Sequence, residues 1–328
     1  MKLGLIGCGK VADFFHVPAI RATPGVRIEA IADIDKDRVE RFGRKYKIEN
    51  RYLDYHSMFD KCRIDSVLIC TPPRTHAQII LDSVDHGLHV LCEKPFVSTV
   101  SELDAIAKSA DKNLTIFPVH NYVFTPSLWL AEHLMKNRDL GRLEEMDAHL
   151  AVGFNTWRSA TDYRNRDPAG VITDLLYHVI YVAHRVCGPI MELVNVETKK
   201  NNDHVARIVR VEGKSKDGAP LRLSASWNAL LPHFKILLRH SNSSIDMDLI
   251  WHPYRISVQG VEKEKQPKPL KGRFGEIRSL MSMSHPSFKF LHQDFRNSVV
   301  SKSTPQVTID QAKETLQTIQ RITERAGK

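Results

Sequence analysis

The sequence has no apolar run of about 18 residues, so nothing in it reads as a membrane-spanning helix. Cysteine is scarce. Cys8, Cys62, Cys70, Cys92 and Cys187 are an odd set of five with no C-x-x-C pair, which argues against a disulfide framework or a zinc ribbon and fits a reducing cytoplasm. Glycine and proline number only 16 each, which excludes collagen-like and low-complexity chains. The apolar stretch before Leu5-Ile6-Gly7-Cys8 is too short for the core of a signal peptide and reads as a buried strand.

What is present is globular. Of 328 residues, 42% are hydrophobic and 26% charged, and the mean hydropathy is −0.29. That length holds two domains or one large one. Lys and Arg total 47 against 38 Asp and Glu, a net charge of +9. The basic residues are spread among acids. The densest run, Lys263, Lys265, Lys268, Lys271 and Arg273, is broken by Glu262, Glu264, Pro267 and Pro269, and reads as a solvated loop, not a nucleic-acid patch. A basic surface still favours anionic ligands such as dinucleotides.

Along the first 120 or so residues, short apolar runs alternate with helical patterns. The runs are Lys2 to Ile6, Val26 to Ala32, Ile64 to Thr71, His89 to Cys92 and Leu114 to Val119. Between them lie amphipathic stretches from Asp35 to Tyr46 and Thr75 to Asp85, and a capping-box pair, Thr99 and Glu102. This alternation predicts a doubly wound parallel sheet. After His120-Asn121 the pattern changes to a helix from Pro126, a succession of extended segments from Glu144 to Leu249 interrupted by a helical stretch from Gly170 to Arg185, and closing helices over Phe288 to Val300 and Thr308 to Arg325. The reading is α/β: an N-terminal Rossmann domain over residues 1–122, then a second domain over 123–328 with a large, mostly antiparallel sheet.

Gly7-Cys8-Gly9-Lys10-Val11-Ala12 is a G-x-G-x-x-A fingerprint between a strand and a helix. Gly7 permits the tight turn, Gly9 lets a pyrophosphate approach the backbone, and Ala12 lets helix and strand pack closely. Asp33, ending the second strand, stands where a ribose-binding carboxylate belongs and favours NAD over NADP. Asp35 is a competing acid, and Arg38 is a cation that could receive the 2′-phosphate of NADP instead. Cys92-Glu93-Lys94-Pro95 closes a strand at the sheet's carboxyl end, where Lys94 can bond a substrate oxygen. Asp174 and His178, four apart on a helix, share a face. An imidazole is a suitable base for an alcohol proton. The same spacing suits two metal ligands, but no third ligand presents itself and no metal site is expected.

These motifs, with Thr71-Pro72-Pro73-Arg74-Thr75-His76, His89 to Pro95, His120-Asn121-Tyr122, Gly170 to His178, Asp294-Phe295 and Pro305, resemble the Gfo/Idh/MocA oxidoreductase family over nearly the whole chain. The resemblance implies a Rossmann domain followed by an open-sheet domain that mediates dimers or tetramers. It implies that Lys94 binds substrate near the nicotinamide and that His178 is the acid–base group with Asp174 beside it. Thr71, Pro72, His76, Glu93, Lys94 and Asn121 join Gly7 to Ala12 and Asp33 in the expected cofactor site. Tyr122 and the Trp157, Arg158, Tyr163 and Arg164 loop join Lys94, Asp174 and His178 in the expected substrate site.

The sequence departs from the family pattern at Leu175 to Tyr177, where a glycine is common. Tyr181 stands where an aspartate is common, Pro73 replaces an asparagine, and Val123 replaces an arginine. The resulting expectation is a cytoplasmic NAD-dependent, or alternatively NADP-dependent, dehydrogenase of a sugar, cyclitol or polyol. A non-catalytic nucleotide-binding regulator and a redox-neutral enzyme with tightly held NAD remain as alternatives.

Overall fold

A computed structural model describes residues 1–111, 113–137, 140–153, 167–201, 204–261 and 285–327. The described chain divides into two compact units, Met1–Asn121 with Met283–Lys313, and Tyr122–Ser282 with Glu314–Lys328.

The first unit is built on six parallel strands: β1 (Lys2–Ile6), β2 (Arg27–Ala32), β3 (Asn50–Tyr52), β4 (Ser66–Ile69), β5 (His89–Cys92) and β6 (Ile116–Pro118). Their order, β3-β2-β1-β4-β5-β6, is that of a Rossmann sheet. Leu3, Leu5, Val67, Leu68, Ile69, Val90, Leu91 and Cys92 are fully buried, as expected of strands covered on both faces. The connecting helices are α1 (Val17–Arg21), α2 (Lys36–Tyr46), α3 (Tyr55–Lys61), α4 (His76–Asp85) and α5 (Val100–Ser109). Asp35 caps α2 by accepting from the Arg38 N–H, and Asp54 caps α3. Thr99 and Glu102 form the full capping box of α5.

Sequence reading missed two elements here, β3 and α3. A three-residue strand has too few side chains to show a period, and α3 is announced only by its cap, Asp54. The helix after the glycine turn also differs from expectation. It starts at Lys10 and runs as a π turn over Ala12–His16 before α1.

In the second unit, α6 (Pro126–Asn137) precedes β7 (Leu143–Gly153). A π turn (Ile172–Leu176) runs into α7 (Tyr177–Cys187). Then follow β8 (Ile190–Lys200), β9 (Ala206–Ser215), β10 (Pro220–Ser226), β11 (Asn228–His240), β12 (Ser244–Asp248) and β13 (Ser257–Gln259). The sheet order is β13-β12-β11-β7-β10-β9-β8, antiparallel at every pairing except β7 with β10. One face packs under α7 and its π turn. The other carries ion pairs of Arg222 and Arg239 with Glu145, and of Lys214 with Glu192.

The last helices are α8 (Pro286–Ser301) and α9 (Ile309–Ala326). The line between the units runs through α9, whereas the sequence read the whole C-terminal stretch as part of the second domain. In the first unit α8 buries Phe288, Leu291, His292, Phe295 and Ser298, a stripe at helical spacing. Phe295 meets Phe117 of β6 edge-on at 5.8 Å.

In the second unit His184 of α7 faces Thr318 of α9, Nε2 to Oγ1 at 3.3 Å, while its Nδ1 is sealed from solvent. Burial and the nearby Arg321 charge pull its pKa down to about 4. The ordinary value is ~6.5, so between about pH 6.5 and about pH 4 the unfolded chain holds a proton here that the folded chain lacks. Stability therefore falls with falling pH across that window, by ~1.4 kcal/mol per pH unit for this one proton. His184→Gln is expected to flatten that slope in urea unfolding followed by tryptophan fluorescence, and an unchanged slope would refute this account.

Candidate active site

The carboxyl ends of β1, β4 and β5 lie side by side, since Ile6 pairs with Ile69 and Ile69 with Cys92. The segments leaving them carry the fingerprint, Thr71 and Glu93-Lys94. Gly7 has φ +95°, and a Cβ there would lie 2.7 Å from the Cys70 carbonyl and 2.9 Å from the Thr71 nitrogen. Only glycine fits. Gly9 is the reverse case, since a Cβ there would meet nothing within 4 Å. The turn thus presents bare backbone to open space at the start of a helix, a cradle suited to a pyrophosphate. Ala12 is fully buried, as close packing requires, while Lys10 is exposed and Val11 partly so.

Asp33 is 7% exposed and accepts from the Cys8 N–H at 2.8 Å and the Asp35 N–H at 2.9 Å. The Arg38 guanidinium lies 3.4 Å from it and 3.4 Å from Asp35. The fingerprint and the acid are therefore bonded to each other, and Asp35 serves as a helix cap. Burial, with Asp33 nearby, pushes the Cys8 thiol up to about 12, so it is no nucleophile. Burial raises the other four thiols as well, Cys187 to about 12.

Of the other predicted cofactor residues, Thr71 is partly exposed and Pro72 exposed, with Thr71 Oγ1 accepting from Thr75. His76 is fully buried, its ring nitrogens facing the carbonyls of Thr71 at 2.8 Å and of Pro95 at 3.0 Å. Burial lowers its pKa against those carbonyls. It ties the β4 turn to the segment after Lys94. Asn121 is buried and donates to Ser287 of α8 at 3.3 Å.

Lys94 is half-buried and precedes a cis bond to Pro95. Its N–H donates to Glu93 Oε2 at 2.9 Å, and Glu93 Oε1 is 2.9 Å from His16 Nε2. His16 Nδ1 is in turn 2.9 Å from His292 Nε2. Burial alone would raise the Glu93 carboxyl. The His16 bond and charge, the Lys94 charge and the Lys94 N–H outweigh it and hold the group below the usual range. Sequence reading singled out neither His16 nor His292. A histidine inside the apolar run Phe14-Phe15-His16-Val17 was the available signal for the first. His292 shares the buried stripe of Phe288 and Phe295.

In the second unit the π turn buries Asp174, which accepts from the Trp227 indole N–H at 3.2 Å. His178 is half-buried, with Nδ1 2.8 Å from the Tyr181 hydroxyl, and that oxygen accepts from the Tyr122 N–H at 3.1 Å. The Tyr122 ring meets His178 edge-on at 5.2 Å and Phe234 at 5.0 Å. Burial, then the charges of Asp248 and Asp174, push its phenol up. Tyr122 and His178 thus meet around Tyr181, and Asp174 meets Trp227. Tyr181 was noted only as a departure from the family, and no spacing points to Trp227. Trp157, Arg158, Tyr163 and Arg164 lie outside the described residues, as does the Lys263 to Arg273 run.

The first unit is an NAD-binding Rossmann domain: residues 1–120 match the Gfo/Idh/MocA oxidoreductase family, NAD-binding Rossmann fold. Among relatives, the chain is 30% identical over 139 residues to the uncharacterized oxidoreductase YrbE of Bacillus subtilis, covering 42% of this chain and 40% of that one. It is 24% identical over 224 residues to myo-inositol 2-dehydrogenase of Thermotoga maritima, covering 66% of each. These matches span less than two thirds of either relative. Levoglucosan dehydrogenase in complex with NADH and levoglucosan superposes with a TM-score of 0.86 at 20% identity, over 100% of this chain and 97% of that one. Myo-inositol 2-dehydrogenase from Lactobacillus plantarum superposes at 0.82 and 21%, over 100% and 97%. At such identities the likeness is one of fold, and it extends through both units.

The two glycines separate stability from binding. Gly7→Ala is expected to lower the melting temperature by several degrees, because its Cβ meets backbone that cannot yield. Gly9→Val is expected to melt within about a degree of the native chain but to lose NADH binding at least tenfold, followed by nucleotide fluorescence. A Gly9→Val protein that binds NADH normally would show that the cradle is not the nucleotide site.

Proposed function

We propose that this protein is an NAD-dependent dehydrogenase or reductase of a sugar, cyclitol or related polyol, assembling as a homo-oligomer through the second unit's sheet. The carrying observation is the open backbone at Gly9, bonded through Cys8 to Asp33 and set beside the Lys94 segment at the sheet's carboxyl edge. The residues present fit a dinucleotide. The turn from Gly7 to Ala12 would hold its pyrophosphate and Asp33 a ribose, with Thr71 and Pro72 flanking it. When bound, the nicotinamide supplies the hydride acceptor or donor.

The chain's own residues supply the proton chemistry and the orientation. Lys94 holds and polarises the reacting oxygen as a compact cation. His178 exchanges that oxygen's proton through Nε2, since Nδ1 faces the Tyr181 hydroxyl. Tyr181 has a hydroxyl where a carboxylate would add a negative charge. It therefore orients the ring through a neutral hydroxyl. Asp174, steadied by Trp227, holds a neighbouring substrate hydroxyl. The relatives' own names supply the substrate class: myo-inositol, levoglucosan and D-apiose dehydrogenases.

The test is titration of cofactor-stripped protein with NADH and NADPH, then turnover with NAD on a panel headed by myo-inositol, levoglucosan and D-apiose. NADH should bind more tightly than NADPH, and Asp33→Ala should weaken NADH by about tenfold or more. Lys94→Ala and His178→Ala should each lower kcat by a factor on the order of 10² or more. Tyr181→Phe should lower it less and leave NADH binding unchanged. Full turnover in both Lys94→Ala and His178→Ala, or no binding of either nucleotide, would overturn the reading.

A further inference from the structure

Three side chains distant in sequence, His16, Glu93 and His292, meet in one line inside the first unit. His16 is fully buried, His292 is 1% exposed and Glu93 is 8% exposed. Each contact in the line is 2.9 Å. The His16 ring is also met edge-on by Phe288 at 5.1 Å and by His292 at 5.2 Å. A buried line of this kind is a poor stabilising device. Sealing an ionised carboxylate from water costs several kcal/mol, and an apolar replacement of the same volume serves a core at least as well. His292 Nδ1 compounds the cost, having no hydrogen-bond partner among the described residues.

The line does have one outlet. Glu93 uses one oxygen on His16 and the other on the Lys94 N–H at 2.9 Å. A carboxylate fixed at both oxygens cannot rotate, so the backbone from which the Lys94 side chain springs is set by where His16 holds Glu93. We propose that His16 and His292 are positioning residues that act on Lys94 through Glu93.

The geometry also orders the protons. Glu93 accepts, so His16 Nε2 carries a hydrogen. His292 is neutral, because burial and the neighbouring His16 hold its pKa well below the ordinary range.

This inference rests on Lys94 working as proposed above, and two readouts keep the two ideas apart. The first needs no substrate. In ¹⁵N-labelled protein the Lys94 backbone amide should lie downfield, and it should move upfield in His16→Phe and in His292→Phe. In His16→Gln, whose amide can donate in place of Nε2, it should largely return.

The second readout is kinetic, using NAD and the best alcohol of the panel. His16→Phe should lower kcat about 10- to 100-fold, the scale of a misplaced reacting group, with NADH affinity within about twofold of native. His16→Gln should recover most of that loss. In a Lys94→Ala background His16→Phe should cost no further activity.

A Lys94 amide that stays in place in both phenylalanine variants overturns the proposal. So does a loss of kcat that multiplies with Lys94→Ala, which would mark a merely structural role. Full turnover in Lys94→Ala would overturn the function assigned to Lys94, and the amide readout would still decide whether the line sets its backbone.

Discussion

The backbone of Gly7 lies so near that of Cys70 and Thr71 that no β-carbon fits between them. The rest of the first unit depends on this contact. Parallel strands β1 and β4 are adjacent in the sheet but leave it in opposite directions, so their carboxyl ends open a crevice. The depth of that crevice is set by how tightly the chain turns out of β1. With a side chain at position 7 the turn would stand away from β4. The Cys8 N–H would then leave Asp33, and the helix beginning at Lys10 would point elsewhere. One missing carbon thus places a helix terminus, an acid and an open patch of backbone together.

Each unit also contains a π turn with a buried polar residue in it. The first, Ala12–His16, ends on His16, and the second, Ile172–Leu176, contains Asp174. A π turn spends an extra residue per turn and rotates the side chains that follow relative to those before, at the expense of good helical hydrogen bonding. In both places the shifted residue is one that an apolar helix face would otherwise exclude. Asp174 finds the Trp227 indole and His16 finds Glu93 and His292. Such turns recur at functional sites because they re-aim a single side chain without breaking the helix.

How much of this was legible in the sequence follows from how local each signal is. The fingerprint, the strand alternation and the capping box of α5 are determined by residues within a few positions of one another, and pattern reading recovered them. Asp174 and His178 were paired by α-helical spacing. In the structure Asp174 lies within a π turn, His178 lies in the α-helix that follows, and each has its own partner, a change of pitch that barely alters the spacing of apolar residues. His16 and His292 are 276 residues apart and become neighbours only when α8 returns to the first unit. No window along the chain contains both. His76 is a different case: its place in the motif suggested the cofactor, and its ring faces backbone carbonyls on either side.

Asp33 was read as the acid whose charge favours NAD, with Asp35 competing and Arg38 able to take a 2′-phosphate, and its surroundings tie the three together. A carboxylate offers about four acceptor positions. Two here are occupied by the N–H groups of Cys8 and Asp35, and a third faces Arg38. Arg38 is shared between Asp33 and Asp35, and its side chain is 44% exposed, so it is held loosely. With Arg38 drawn in, one positive charge is set against the two carboxylates of Asp33 and Asp35. With Arg38 swung out, Asp33 regains its full negative charge and an open acceptor. On the proposed reading, selection between a ribose hydroxyl and a ribose phosphate falls to the Asp33–Arg38 pair, whose acid is fixed by the Cys8 and Asp35 N–H bonds.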